Sequence, residues 1–150
     1  MEDEELVVAF LDMVENHKMV VENSGLLTVA ALKHLNVKNK KVVSILSGGN
    51  MDVITMSSVV QQGLVLRDRI FSVSVLLPDK PGELSRVSDV IAKQSGNVIK
   101  LEHNQFVSIN RNAAVELRIT MEAYGTEHKN QIIQALEESG YKPKVVRASV

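Results

Sequence analysis

Two short stretches place side chains and glycines in patterns suited to ligand binding. The first is Ser47-Gly48-Gly49-Asn50, directly behind the apolar run Val42–Leu46. Two glycines let the backbone come close to a ligand, while the Ser hydroxyl and the Asn amide supply neutral hydrogen-bonding groups. A plain Gly-Gly turn between a strand and a helix would read the same way. The second is Asp79-Lys80-Pro81-Gly82-Glu83-Leu84, followed about one helix later by Gly96-Asn97-Val98. Pro and Gly shape a tight strand-to-helix turn there, so that helix amides point at an anion such as a carboxylate. An ordinary β-α turn again fits the same residues. His17, His34, His103 and His128 are scattered, and none pairs with another His or a carboxylate at metal spacing within one element, so no metal is expected. Asp79 and Glu83 stand at i, i+4 and could hold a cation, but negative charge at a helix amino terminus accounts for them better.

These stretches need elements to hold them. Glu4 to Lys18 puts Leu6, Phe10, Met13 and His17 on one stripe, the spacing of an amphipathic helix. A second helix is predicted from Leu26 to Leu35, and a third from Asp52, as its cap, through Gln62 to a stop at Gly63. Between them, Val42–Leu46 reads as a short strand buried on both faces, as in a parallel sheet. From Ile70 the texture alternates. Ile70–Leu77, Val98–Phe106, Ala113–Met121 and Pro143–Ala148 read as strands, with a polar hairpin at Ser108–Asn112. Helices fall at Glu83–Ser95, closed by Gly96, and at Thr126–Ser139, capped by Thr126 and closed by Gly140. The order β-α-β-β-α-β is the ferredoxin-like arrangement. The fold class is therefore α+β, with a partial α/β segment in residues 1–66 and the ferredoxin-like unit in 67–150. A lone parallel-type strand cannot satisfy its own backbone groups, so either residues 1–66 complete another sheet or, the preferred expectation, they were cut from a larger domain, with Val42–Leu46 left as an unpaired edge.

Composition removes several classes of function. At 150 residues the chain suits one domain or two small ones. A net charge of −1 with no long basic run argues against a nucleic-acid or polybasic membrane partner. No apolar stretch is long enough to span a bilayer, and the acidic start Glu2–Glu5 is the reverse of a signal peptide, so a cytoplasmic chain is expected. With zero Cys there is no thiolate site or nucleophile.

Val20-Val21-Glu22, Ser24-Gly25, the Ala-rich helix, Lys41-Val42-Val43 and Ser47-Gly48-Gly49-Asn50 follow one another as they do in the pyridoxal-phosphate threonine dehydratases. The stretch resembles the carboxyl-terminal end of their fold-type II catalytic domain. The resemblance implies that Ser47 hydrogen-bonds the pyridine nitrogen of pyridoxal phosphate, and that Gly48, Gly49, Asn50 and Glu22 stand near the cofactor. A hydroxyl at that nitrogen moderates the electron sink and favours elimination of a β-hydroxyl over transamination. No stretch reads as the family's Schiff-base lysine in a Ser-Phe-Lys-type context, or as its Gly-rich phosphate cradle. Lys38, Lys40 and Lys41 lie in a polar connection with nothing to desolvate them. This chain by itself is therefore expected not to deaminate threonine and to hold no cofactor alone. Asp79 to Leu84 with Gly96-Asn97-Val98 resembles the ACT regulatory domain. That resemblance implies an amino-acid effector, isoleucine or valine, on Asp79, Pro81, Gly82, Glu83, Leu84, Asn97 and Val98 at an oligomer interface. An ACT oligomerisation module without ligand is the alternative.

Overall fold

The computed structural model describes residues 3–104 and 114–148, so the expected hairpin Ser108–Asn112 lies outside the described residues. The chain divides into two compact units, Met1–Leu66 and Arg67–Val150.

In the first unit, α1 (Asp3–Asp12) carries Asp3, Glu4 and Glu5 in its first turn, where negative charge offsets the helix dipole. It continues as one π-helical turn, Met13–His17, closed by Lys18 at φ 57°. That wider turn takes His17 off the apolar stripe and leaves it exposed, while Val7, Ala9, Phe10, Leu11 and Met13 are buried. The second helix is broken into a 3-10 turn, α2 (Leu27–Ala31) and a further 3-10 turn ending at His34. In front of α3 (Val53–Leu66), Asp52 caps as expected, its Oδ1 accepting the amides of Ile54 at 3.0 Å and Thr55 at 2.9 Å. Gly63 does not stop this helix. It is buried within it, and an added Cβ would lie 3.3–3.4 Å from Leu11 and Val7, so the glycine serves the close approach of α1 and α3. The core joins Val7, Phe10, Met13, Val21, Leu26, Ala30 and Val59.

No strand forms at Val42–Leu46, nor anywhere among the described residues of this unit. Val43 is 88% and Ile45 75% exposed. The run has strand chemistry but no neighbouring strand to bond with. Side chains hold it instead: Thr28 Oγ1 donates to the Ile45 carbonyl at 3.1 Å.

The second unit is a four-stranded antiparallel sheet with two helices. Its elements are β1 (Ile70–Pro78), α4 (Glu83–Lys93), β2 (Asn97–Asn104), β3 (Ala114–Glu122), α5 (Thr126–Glu138) and β4 (Lys144–Val146). The strand order β2-β3-β1-β4 is the ferredoxin-like one. β3 pairs along all of β1, from Ile70 opposite Glu122 to Pro78 opposite Ala114. Because strand side chains alternate, Phe71, Val73, Val75 and Leu77 meet Leu117, Ile119 and Met121 on one face, where Val87, Ile91, Ile132 and Leu136 complete the core. The other face is mixed, with Ile70 and Leu76 among polar side chains. Ser72 and Thr120 are buried there and share a hydrogen bond at 2.7 Å.

Two ends differ from expectation. Ser95, at φ 61°, takes the left-handed position after α4, while Gly96 is needed for space: a Cβ there would meet Ile91 at 2.7 Å. Thr126 does not cap α5. The cap residue is Gly125, and the Thr126 hydroxyl donates to Asp68 Oδ2 at 2.8 Å.

Candidate functional site

In the first unit the chain passes itself closely at Glu22 and Gly48. The Glu22 amide donates to the Gly48 carbonyl at 3.2 Å, and the Ser24 hydroxyl donates to Glu22 Oε1 at 2.6 Å. Gly48 sits at φ +79°, and a Cβ on it would lie 2.3 Å from Glu22 Oε1; a Cβ on Gly25 would lie 1.7 Å from the Ser47 carbonyl oxygen. Glycine is thus required at both positions, at Gly25 for room and at Gly48 for room and backbone conformation. The crossing brings Glu22 and Ser47-Gly48-Gly49 together, two groups separated in sequence. Ser47 and Asn50 are exposed, and neither side chain is hydrogen-bonded among the described residues. A free hydroxyl beside glycine backbone fits one edge of a pyridoxal ring, its nitrogen. For a Schiff base there is no such fit in this unit, because Lys18, Lys33, Lys38, Lys40 and Lys41 are all exposed, with nothing to desolvate an amine.

In the second unit a cavity of about 210 Å³ opens where β1 turns into α4. Asp79, Pro81, Gly82, Glu83 and Leu84 line it, with Leu77, Lys80, His103 and Val115. Gly82, at φ 91°, precedes α4, whose amino end has no side-chain cap; the Glu83 amide donates to the Lys80 carbonyl at 3.4 Å, which leaves the amides of Leu84 and Ser85 to be satisfied from outside. Glu83 is engaged by Arg86 at 3.0 Å. Asn97 and Val98 are elsewhere. β2 runs parallel to β1, both being antiparallel to β3, so Asn97 opens β2 at the opposite end of the sheet. Its amide donates to Glu122 Oε2 at 2.7 Å. His103, from the far end of β2, takes the place beside the loop. The ferredoxin-like order carries that signal: the last residues of the second strand return to the level of the first loop.

His34 and His128 are held structurally. His34 Nε2 meets Glu5 Oε1 at 2.7 Å. His128 Nδ1 accepts the Tyr124 amide at 3.0 Å and its Nε2 lies 2.6 Å from the Gln94 carbonyl, so the ring carries its proton on Nε2 and ties the end of α4 to the start of α5. Among the described residues no three His, Cys, Asp or Glu side chains are grouped to hold a metal ion. No described helix is long and apolar enough to cross a membrane.

Fold and site together define a two-unit α+β chain: a helical unit with an exposed Ser-Gly-Gly-Asn segment, then a ferredoxin-like unit with a loop cavity. Comparison with known proteins gives this class its relatives. The chain is 35% identical over 148 residues to the L-threonine ammonia-lyase of Geobacter sulfurreducens, covering 97% of this chain and 37% of that one. It is 31% identical to the L-threonine ammonia-lyase of Thermotoga maritima, covering 96% and 36%, and 28% identical to a biosynthetic L-threonine dehydratase of Pasteurella multocida, covering 92% and 26%. The chain is thus a relative of the threonine ammonia-lyases over nearly all of its own length and spans little more than a third of theirs. No protein-family model matches it. Among solved structures, protein BT0572 of Bacteroides thetaiotaomicron aligns over 52% of this chain and 48% of its own, at 20% identity and TM-score 0.39.

Proposed function

We propose that this chain is the regulatory, carboxyl-terminal portion of a threonine dehydratase, the enzyme class that converts threonine to 2-oxobutanoate and ammonia. Residues 67–150 act as an ACT regulatory domain that binds a small amino acid, isoleucine or valine, between two copies. Residues 1–66 are the end of a catalytic domain and offer Ser47 to the ring nitrogen of pyridoxal phosphate, with Gly48, Gly49, Asn50 and Glu22 around it. The cofactor supplies the carbanion chemistry when the remaining catalytic residues are present. The cytoplasm is the compartment this reading proposes for the chain.

The observation that carries this is the loop cavity. It gathers Asp79, Pro81, Gly82, Glu83 and Leu84 around an uncapped helix start, an arrangement suited to a carboxylate with an apolar group beside it. Asn97 and Val98 stand at the sheet's other end, so one ligand can touch both sets only if a second copy supplies one of them. Binding then biases the catalytic portion only as far as the effector's affinity differs between two arrangements of the assembly.

Titration calorimetry of the full chain with isoleucine, valine and leucine tests this. Saturable heat below millimolar concentration is expected for one or more, with a rise in oligomer size by light scattering. No heat at millimolar concentration with any of them removes the effector claim. Mixed with pyridoxal phosphate and threonine, the chain is expected to form no 2-oxobutanoate, and turnover would overturn the assignment of the first unit. The second reading, an oligomerisation module with an empty cavity, is favoured by β2. This edge strand leaves Val98, Ile99 and Leu101 36–43% exposed, open to pairing with another strand. Stable dimers without any ligand-induced rise in melting temperature would select it.

A further inference from the structure

A larger cavity, of about 480 Å³, lies away from the loop, lined by Ser74, Leu76, Glu116, Gly140, Lys142 and Lys144. Ser74 and Leu76 of β1 and Glu116 of β3 stand on the sheet face turned from α4 and α5, since their neighbours Val73, Val75 and Leu117 fill the helical core. Lys144 is opposite Ser74 in the β1–β4 register. Its volume falls within the range of small-molecule sites.

The chemistry of the lining is mixed in a particular way. Glu116 is held in place by Ser74, whose hydroxyl donates to Oε1 at 2.5 Å, which leaves Oε2 open to a further donor. Neither Lys142 nor Lys144 has an ion-pair partner among the described residues. Arg118, opposite Ser74 on the same face, has its buried Nε without a hydrogen-bond partner there. Leu76 is 59% exposed, an apolar surface between charges, and Gly140 adds no side chain. A simple anion such as inorganic phosphate would meet the Glu116 carboxylate, and a metal cation would meet two ammonium groups. A molecule carrying both signs meets neither objection.

We propose that this cavity is a second binding site, for a free α-amino acid with an aliphatic side chain. The ligand carboxylate lies between the ammonium groups of Lys142 and Lys144. Its ammonium donates to Glu116, and its side chain rests on Leu76. This site draws on none of the loop residues, so it stands or falls independently of the effector cavity.

The test is an amide-shift titration of the full-length 15N-labelled chain with three probes of one shape: L-leucine, 4-methylpentanoate without the ammonium, and 3-methylbutylamine without the carboxylate. L-Leucine is expected to shift the amides of Ser74, Leu76, Glu116 and Lys144, and to bind about tenfold tighter than either analogue. Glu116→Gln should weaken L-leucine about tenfold while leaving 4-methylpentanoate unchanged or tighter. Lys142→Met, outside any strand, should weaken both. Loss of the preference for L-leucine over 4-methylpentanoate in Glu116→Gln, with 4-methylpentanoate still bound, needs a folded protein, so it cannot arise from misfolding. Equal binding of all three probes overturns the proposal, as does L-leucine binding that neither variant changes. Shifts confined to Lys80–Leu84 overturn it while leaving the effector cavity standing. Shifts confined to Ser74, Leu76 and Glu116 uphold it and remove the effector role from the loop.

Discussion

Val42–Leu46 and the middle of β1 are built from the same β-branched and aliphatic residues, yet they end in opposite states. Val73 and Val75 are fully buried in a sheet, while Val43 and Ile45 are 88% and 75% exposed in an unpaired segment. A run of this chemistry becomes a strand only where neighbours accept its hydrogen bonds, and β1 has β3 on one side and β4 on the other. The widest test of this contrast uses one residue type in both regions. Ile119→Ala, at a position 1% exposed, is expected to cost about 2–5 kcal/mol in urea unfolding, the price of a cavity in a packed core. Ile45→Ala should change stability by about 0.5 kcal/mol or less, as at an exposed position. Comparable costs at both sites would show that the segment is packed in solution.

The same contrast explains what was legible in the amino-acid sequence. All four strands of the second unit were readable, because alternation along Ile70–Leu77 and the turn at Pro78–Gly82 are local signals, and pairing merely realises them. Its helix faces follow the same local rule in part: Val87 and Ile91, like Ile132 and Leu136, stand four residues apart and are buried, while Leu84, at the same helical spacing, is 43% exposed. In the first unit local signals misled, since the strand at Val42–Leu46 depends on partners and Gly63 serves packing rather than termination. At the candidate sites, the loop from Asp79 to Leu84 was visible as a contiguous motif. His103 was not, because only strand order brings it there. Nor was the second cavity, whose Ser74, Glu116 and Lys144 come from three strands.

A smaller effect separates the two left-handed glycines of the candidate sites. Gly48 and Gly82 have similar backbone angles, φ 79° and 91°, but only Gly48 is crowded. Gly82→Ala should therefore cost only the left-handed penalty of about 1–2 kcal/mol. Gly48→Ala must also push Glu22 aside and break its hydrogen bond with Ser24, adding about 1 kcal/mol. Melting temperatures of the two variants check the order. If Gly82→Ala is the worse, the crossing of Glu22 over Gly48 is not a fixed feature of the first unit.

The finest comparison is between two carboxylates, Asp52 before α3 and Asp68 before β1. Burial pushes the Asp68 carboxyl up, but hydrogen bonds from Lys129 Nζ at 2.7 Å and the Thr126 hydroxyl, with the Lys129 charge, outweigh it and hold the group below its ordinary value of 3.8. A carboxyl lowered by folding contributes stability that is fully present above the unfolded value and is lost as pH falls through the folded one. Wild type should thus exceed Asp68→Asn in urea midpoint at neutral pH, and the gap should close as pH falls below the ordinary Asp value. Asp52 is also lowered, chiefly by the Thr55 hydroxyl and then by the Thr55 amide, but no cation pairs with it among the described residues. An Asn at position 52 keeps an acceptor for the Ile54 and Thr55 amides, so its gap should be the smaller and flatter of the two. A pH-independent gap at Asp68 would mean that Lys129 holds the residue by geometry and contributes no charge.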